Sequence, residues 1–160
     1  MDVYCADSIA EGPNVMRLPT RVRYGCRAMV ALALREGEGP VSLEALAADQ
    51  HIPERYLAKI AQDLRRSGLI RSVRGAHGGY CLSRPPEDIN LLDVYEALEG
   101  NFCPVDCLES PRSCRWTDEC VTKGVWKELR DAVTGVMRSK SLAELARGAA
   151  IEHKTAGGGK

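Results

Sequence analysis

Aromatic side chains are scarce, with one Phe, two Trp and five Tyr in 160 residues. That is too few for the stacked platforms that read single-stranded nucleic acid, so a nucleic-acid partner would be duplex. Long apolar runs are missing as well. No stretch approaches the roughly 18 consecutive apolar residues of a membrane span, and the opening MDVYCADSIAEGPNV has neither a basic n-region nor an apolar h-region. These absences predict a cytoplasmic protein with no membrane partner. No hydrolase or transferase constellation is present, so an enzyme is not expected. The length allows one domain, or a small domain with an appendage, and excludes a large barrel or a multidomain synthase.

Net charge is also lacking, because 22 Lys and Arg balance 22 Asp and Glu. The balance is uneven along the chain. From Arg17 to Arg84 there are 12 basic residues against 6 acidic, and from Pro85 to Cys120 there are 2 against 9. A basic segment can present a phosphate-binding field even when the whole molecule is neutral.

The basic segment has a periodic organisation. Thr20 to Arg35 reads as a helix with Val22, Cys26, Met29, Val30 and Ala33 on one face. Ser42 is an N-cap for a short helix with Leu43, Leu46 and Ala47 inward, and Pro53 opens another that ends near Ser67. This second helix buries Tyr56, Leu57, Ile60 and Leu64 and turns Arg55, Ala58, Lys59, Gln62 and Arg66 outward. Two helices joined by a tight turn, the later one with outward basic and amide groups, form a helix-turn-helix. Leu69 to Val73 and Tyr80 to Ser83 alternate around Gly75, Gly78 and Gly79, which predicts a β-hairpin. Behind a recognition helix such a hairpin is a wing, with Arg71, Arg74 and His77 at or near its tip, and an arginine there suits the negative potential of a minor groove.

The acidic segment begins with Pro85 and Pro86, then a helix capped by Asn90 and Asp93 with Leu91, Leu92, Val94 and Leu98 apolar and Gly100 as its stop. The loop NFCPVDCLESPRSCRWTDEC follows. It carries Cys103, Cys107, Cys114 and Cys120, four of the seven cysteines. In a reducing compartment these are metal ligands or redox groups rather than disulfides. Gaps of three, six and five residues are wider than a zinc knuckle and suit an iron-sulfur cluster; zinc and a redox thiol switch remain the alternatives. Val121 to Arg138 reads as a helix with Trp126, Leu129, Val133 and Val136 along a heptad-like seam, suited to packing on a partner helix. Ser141 and Glu144 form a capping box for a last short helix, and the tail HKTAGGGK is polar.

From Met16 to Ala146 these features resemble the Rrf-two family of bacterial transcription regulators, which includes IscR-like and NsrR-like iron-sulfur sensors. MRLPTRVRYGCRAMVALAL resembles the opening helix, ERYLAKIAQDLRRSGLIRSVRGAHGGY the recognition helix and wing, INLLDVYEALEG the linking helix, and the cysteine loop with Trp126 the cluster site and dimerisation helix. The resemblance implies a homodimer on a palindromic operator, acting as repressor or activator, with Cys107, Cys114 and Cys120 ligating a [2Fe-2S] or [4Fe-4S] cluster that senses iron, nitric oxide or redox state. Repression is the reading adopted. A metal-free, metabolite-responsive regulator is a further alternative. Where the family carries its fourth ligand, this chain has Thr122, Lys123, Arg23 and Arg27, none a usual ligand, so Cys103 is the replacement candidate, with Cys5 or an exogenous group behind it. Cys26 and Cys81 read as structural thiols.

The fold expected is mainly α with a small β-hairpin wing: a winged helix-turn-helix domain and a long dimerisation helix. Its divisions are a flexible extension over 1–15, a DNA-binding domain over 16–86, a linking helix and cluster loop over 87–121, a dimerisation helix with a short C-terminal helix over 122–146, and a flexible tail over 147–160.

Overall fold

Among the described residues, six α-helices and one hairpin follow in the order α1 (Thr20–Leu34), α2 (Leu43–Gln50), α3 (Glu54–Arg66), β1 (Ile70–Val73), β2 (Gly79–Leu82), α4 (Leu91–Glu99), α5 (Lys123–Arg138) and α6 (Leu142–Ala156). This computed structural model describes residues 18–156, with side chains to residue 150. The extension over 1–15, Cys5 and the last four tail residues lie outside the described residues.

Local chemistry sets the boundaries. Ser42 Oγ accepts from the Ala45 amide at 3.1 Å and caps α2. Asn90 Oδ1 accepts from the Asp93 amide, and Asp93 returns the bond to the Asn90 amide, both at 3.0 Å, so the expected capping box of α4 is complete. The box of α6 is half made. Ser141 Oγ accepts from the Glu144 amide at 3.2 Å, but the Glu144 carboxylate turns instead to Lys140 Nζ at 2.7 Å.

The strands pair antiparallel from Ile70 opposite Leu82 to Val73 opposite Gly79. A third short contact anchors them, since Val41 and Tyr80 exchange backbone hydrogen bonds of 3.0 and 2.8 Å. Gly79 makes this possible, because a Cβ there would run into the carbonyl of Val41, a backbone group that cannot swing aside. Gly79→Ala is therefore expected to destabilise the fold by about 1–3 kcal/mol. Thermal unfolding checks this, with the loss expected in the wing first.

One apolar core joins Met29 of α1, Leu57, Ile60 and Leu64 of α3, Val94 of α4 and Leu142 of α6. Each of these buried side chains contributes roughly 1.5–3 kcal/mol. Three expectations change here. α1 buries Gly25, Ala28, Ala31 and Leu32 as well as Val22, Met29 and Ala33, well beyond a single stripe, because α4 and α6 also pack on it. The body of the domain does not stop at residue 86, since Ile89, Val94, Leu98, Leu142 and Ala146 share its core. The last helix is not short, because α6 runs on to Ala156 through residues 147–156, where a tail was expected. It is fastened to the start of α4 by hydrogen bonds from the Leu142 amide to Ile89 O at 2.8 Å and from the Leu91 amide to Lys140 O at 3.0 Å.

α5 starts at Lys123, two residues later than expected, and has no buried residue along its length. It leans on α4 with one side. Among the described residues no helix is long and apolar enough to cross a membrane.

Candidate DNA interface and cysteine loop

α3 presents two faces. Leu57, Ile60, Ala61 and Leu64 enter the core, whereas Arg55, Lys59, Gln62, Arg65 and Arg66 are exposed. Tyr56 is half-buried and meets Tyr24 of α1 edge to face at a centroid distance of 5.8 Å. α3 is thus seated by its apolar face with its cations outward. Arg74 and His77 are exposed in the turn between β1 and β2. Arg71 sits lower, opposite Cys81 on the paired strands, and lines a cleft of about 460 Å³ with Leu32, Arg35 and Tyr80. It belongs to the base of the wing.

Of the two arginines, Arg27 turns out to be a structural partner of the helix-turn-helix, while Arg23 stays exposed on α1. Arg23 donates to Thr20 Oγ1 at 3.1 Å. Arg27 donates to the Gln50 carbonyl at the end of α2 and lies over the Tyr24 ring at 5.8 Å. Nearby, Asp49 accepts from Gln50 and pairs with Arg35, and these contacts hold its carboxyl below the usual carboxylate range.

The cysteine loop is held at both ends. At its start Phe102 packs edge to face on Tyr95 of α4, with centroids 5.6 Å apart, and Cys103 Sγ donates to Val105 O at 3.0 Å. Two short 3₁₀ turns, Asp106–Leu108 and Pro111–Ser113, occupy what was expected to be irregular loop. Thr117 fastens its centre. It is buried, and its single hydroxyl proton is shared between Pro111 O at 2.9 Å and Cys114 O at 2.7 Å. At the far end Thr122 Oγ1 lies 3.3 Å from Cys120 Sγ and accepts from Trp126 Nε1 at 3.2 Å, which links the last cysteine to the first turn of α5. That Thr122 contact lowers the Cys120 thiol from its ordinary value.

Cys103, Cys107, Cys114 and Cys120 are all free and half-buried. As a donor set, four thiols suit a soft metal or an iron-sulfur core. Among the described residues, however, no three His, Cys, Asp or Glu side chains come together as a group able to hold a metal ion. Burial in α1 pushes the Cys26 thiol up to about 11.

On α5, Leu129 and Val133 are half-buried, Trp126 is at the edge of exposure, and Val136 is exposed. Val121 and Val125 add to the exposed apolar surface on and just before the helix. Two contributions escaped the sequence. Thr117 gave no periodic signal. Asp63 was assigned to neither face of α3, yet it is half-buried and paired with Arg21 of α1; its three-residue spacing from Arg66 was the one available hint.

A helix-turn-helix braced by a three-helix body and followed by a wing with exposed cations defines a winged-helix DNA-binding protein. The sequence profile of the Rrf2 family, described as iron-dependent transcriptional regulators, matches residues 18–148. The HTH-type transcriptional regulator CymR of Bacillus subtilis is 39% identical over 131 residues, 82% of this chain and 90% of that protein. Its solved structure, described as that of the global cysteine regulator, aligns with a TM-score of 0.69 and 37% identity, covering 83% of this chain and 98% of that one. The regulator IscR of Photorhabdus laumondii is 37% identical over 130 residues, 81% of this chain and 79% of that protein. The solved structure of T. potens IscR aligns with a TM-score of 0.70 and 37% identity, covering 86% of this chain and 91% of that one. The chain belongs to the Rrf2 family of transcriptional regulators, and its role is regulation rather than catalysis.

Proposed function

We propose that this regulator works as a homodimer on a palindromic duplex operator and that an iron-sulfur cluster on its cysteine loop sets its affinity, repressing transcription in one loop state. Cys107, Cys114 and Cys120 would hold the cluster, with Cys103 as the fourth ligand, and the cluster supplies sensitivity to iron, nitric oxide or redox state. The observation that carries this reading is four free thiols on one loop, tied by Phe102 to α4 and by Thr122 to α5. Gathering three or more of them requires the loop to rearrange. That gives two loop states, which a sensor needs.

The partner helix is a second copy of α5. Trp126, Leu129, Val133 and Val136 form the seam, and the exposure of Val125 and Val136 supports it. A two-fold axis then places two α3 helices on successive half-sites.

A second reading has its own support. The loop thiols are not gathered as a metal site among the described residues, and the chain is as similar to CymR as to IscR, so a thiol-redox or zinc-binding regulator is the competing function. Anaerobic purification separates the two. Visible absorbance with acid-labile sulfide supports the cluster; a colourless protein with stoichiometric zinc, or with neither, overturns it.

On the DNA side, Arg74 enters the minor groove, and Arg55, Lys59 and Gln62 meet the major groove or its phosphates, with Arg71 and His77 flanking. Arg74→Ala is expected to weaken specific binding by about 1–3 kcal/mol if it reads the groove. If Arg74 meets only phosphate, the salt dependence should flatten by about one charge. Unchanged affinity together with an unchanged salt slope would refute the assignment.

A further inference from the structure

The cysteine loop and the recognition helix do not follow one another in sequence, and besides the direct packing of α4 on α3 one polar side chain ties together the elements that carry them. Arg21, in the first turn of α1, donates Nη1 to the carbonyl of Leu98 at 2.7 Å. The same guanidinium pairs with Asp63 of α3 through Nη2 and lies 3.9 Å from the Glu99 carboxylate. Asp63 in turn accepts from Arg66 at 2.8 Å, three residues further along α3. Leu98 and Glu99 form the last turn of α4, and Gly100 opens the cysteine loop. Arg21 thus holds the end of the loop's support with one nitrogen and the recognition helix with the other.

The surroundings are stiff enough for this contact to transmit a displacement. Gly25, one turn further along α1, is buried against Leu98, and a Cβ there would meet the Leu98 side chain, with Ile60 of α3 also close by. Packing this close passes a shift at the end of α4 on to α1 instead of absorbing it. Phe102 on Tyr95 fastens the loop's first residues to α4. A rearrangement that carries Cys103 therefore pulls on the last turn of α4, and with it on the carbonyl that Arg21 grips. A planar guanidinium with donors fixed in a fork cannot follow one acceptor without moving relative to the other.

We infer that Arg21 is a positioning residue that couples the state of the cysteine loop to the placement of the recognition helix, through its simultaneous hold on the Leu98 carbonyl and the Asp63 carboxylate. This rests on the regulatory reading above. Arg21 is half-buried, with its guanidinium engaged by the Leu98 carbonyl and the Asp63 carboxylate, so its effect on operator binding is indirect.

The experiment compares operator affinity with the loop thiols free and alkylated by iodoacetamide, in a Cys5→Ser, Cys81→Ser background, with modification confirmed by intact mass. Cys26 stays a thiol near neutral pH because burial keeps it protonated. In that parent, alkylation should change the operator Kd by about 5- to 150-fold, the ordinary range for linked sites. In Arg21→Gln the change should fall to about twofold or less, with the free-thiol protein still dimeric and folded. Arg21→Lys separates coupling from stability. A lysine keeps the charge beside Asp63 and should restore the melting temperature, but a point charge cannot reproduce the fork, so the coupling stays lost. Asp63→Asn should match Arg21→Gln, and the double variant should add nothing further.

An alkylation response in Arg21→Lys and Asp63→Asn equal to the parent's would overturn the inference, whether or not Arg21→Gln folds. If alkylation leaves the parent's operator affinity unchanged, the regulatory reading fails, and amide exchange decides on the coupling alone. Alkylation should then alter exchange at residues 62–67 in the parent and not in Arg21→Lys; no change at those residues in the parent would overturn the inference.

Discussion

Alanine at Cys107, Cys114 or Cys120 is expected to abolish the visible absorbance and sulfide of the anaerobically purified protein, each substitution alone sufficing. Each is also expected to change operator affinity or operator choice. The reason lies in the donor count, because a loop with few local constraints needs all of its sulfur ligands to offset the entropy of closing it. The same loop carries Asp106, Glu109, Asp118 and Glu119. When it is released, these carboxylates are free to disturb the relation between the two wings of a dimer. A difference of a few kcal/mol between two dimer geometries changes occupancy by orders of magnitude. Cys26→Ala and Cys81→Ala should leave both properties nearly intact, since one thiol is held protonated in α1 and the other sits on a wing strand. Cys103→Ala discriminates between ligand sets. A weakened or altered spectrum marks Cys103 as the fourth ligand, whereas a spectrum identical to the parent's assigns that place to a partner-chain or exogenous group. Metal and sulfide analysis with operator titrations on all six variants checks the set.

Leu129→Asp is expected to convert a dimer into a monomer and to remove cooperative binding to a two-half-site operator. Two-fold symmetry makes each substitution count twice, and since each leucine is already half-buried in its own subunit, the two together contribute roughly 1.5–3 kcal/mol to association. That corresponds to a loss of about one to two orders of magnitude in the dimer Kd, before any desolvation of the new carboxylates is added. Leu129 is half-buried within its own subunit, so Val136→Asp is the companion variant. Val136 is 64% exposed and its replacement spares the fold. A Val136→Asp protein that light scattering shows to be dimeric at the parent's concentration would contradict the seam. Loss of dimerisation without loss of the melting transition would support it.

Much of this protein was legible in its sequence because local rules decide it. Ser42, the Asn90 and Asp93 box, and the glycines of the wing act over three or four residues, and helix starts, stops and the hairpin followed from them. The outward set on α3, Arg55, Lys59 and Gln62, was equally legible, since a helix with four inward apolar residues has only one solvent face. The breadth of α1's buried surface was not. A 3.6-residue period reveals a stripe, but whether the flanks are also covered depends on α6, more than a hundred residues away, packing on the other side.

The sequence by itself determined a winged helix-turn-helix with a basic recognition surface, a thiol-rich loop and a long amphipathic helix, because each of these is written in composition and short-range spacing. Tertiary structure alone decided that α4 and α6 belong to the same core as the helix-turn-helix, that Arg27 grips the end of α2, and that the Glu144 carboxylate turns to Lys140 rather than closing its box. It also decided that Arg21 meets Asp63 and Leu98, 42 and 77 residues away. Such contacts depend on which surfaces the packed helices bring face to face, and no local pattern encodes a partner at that separation.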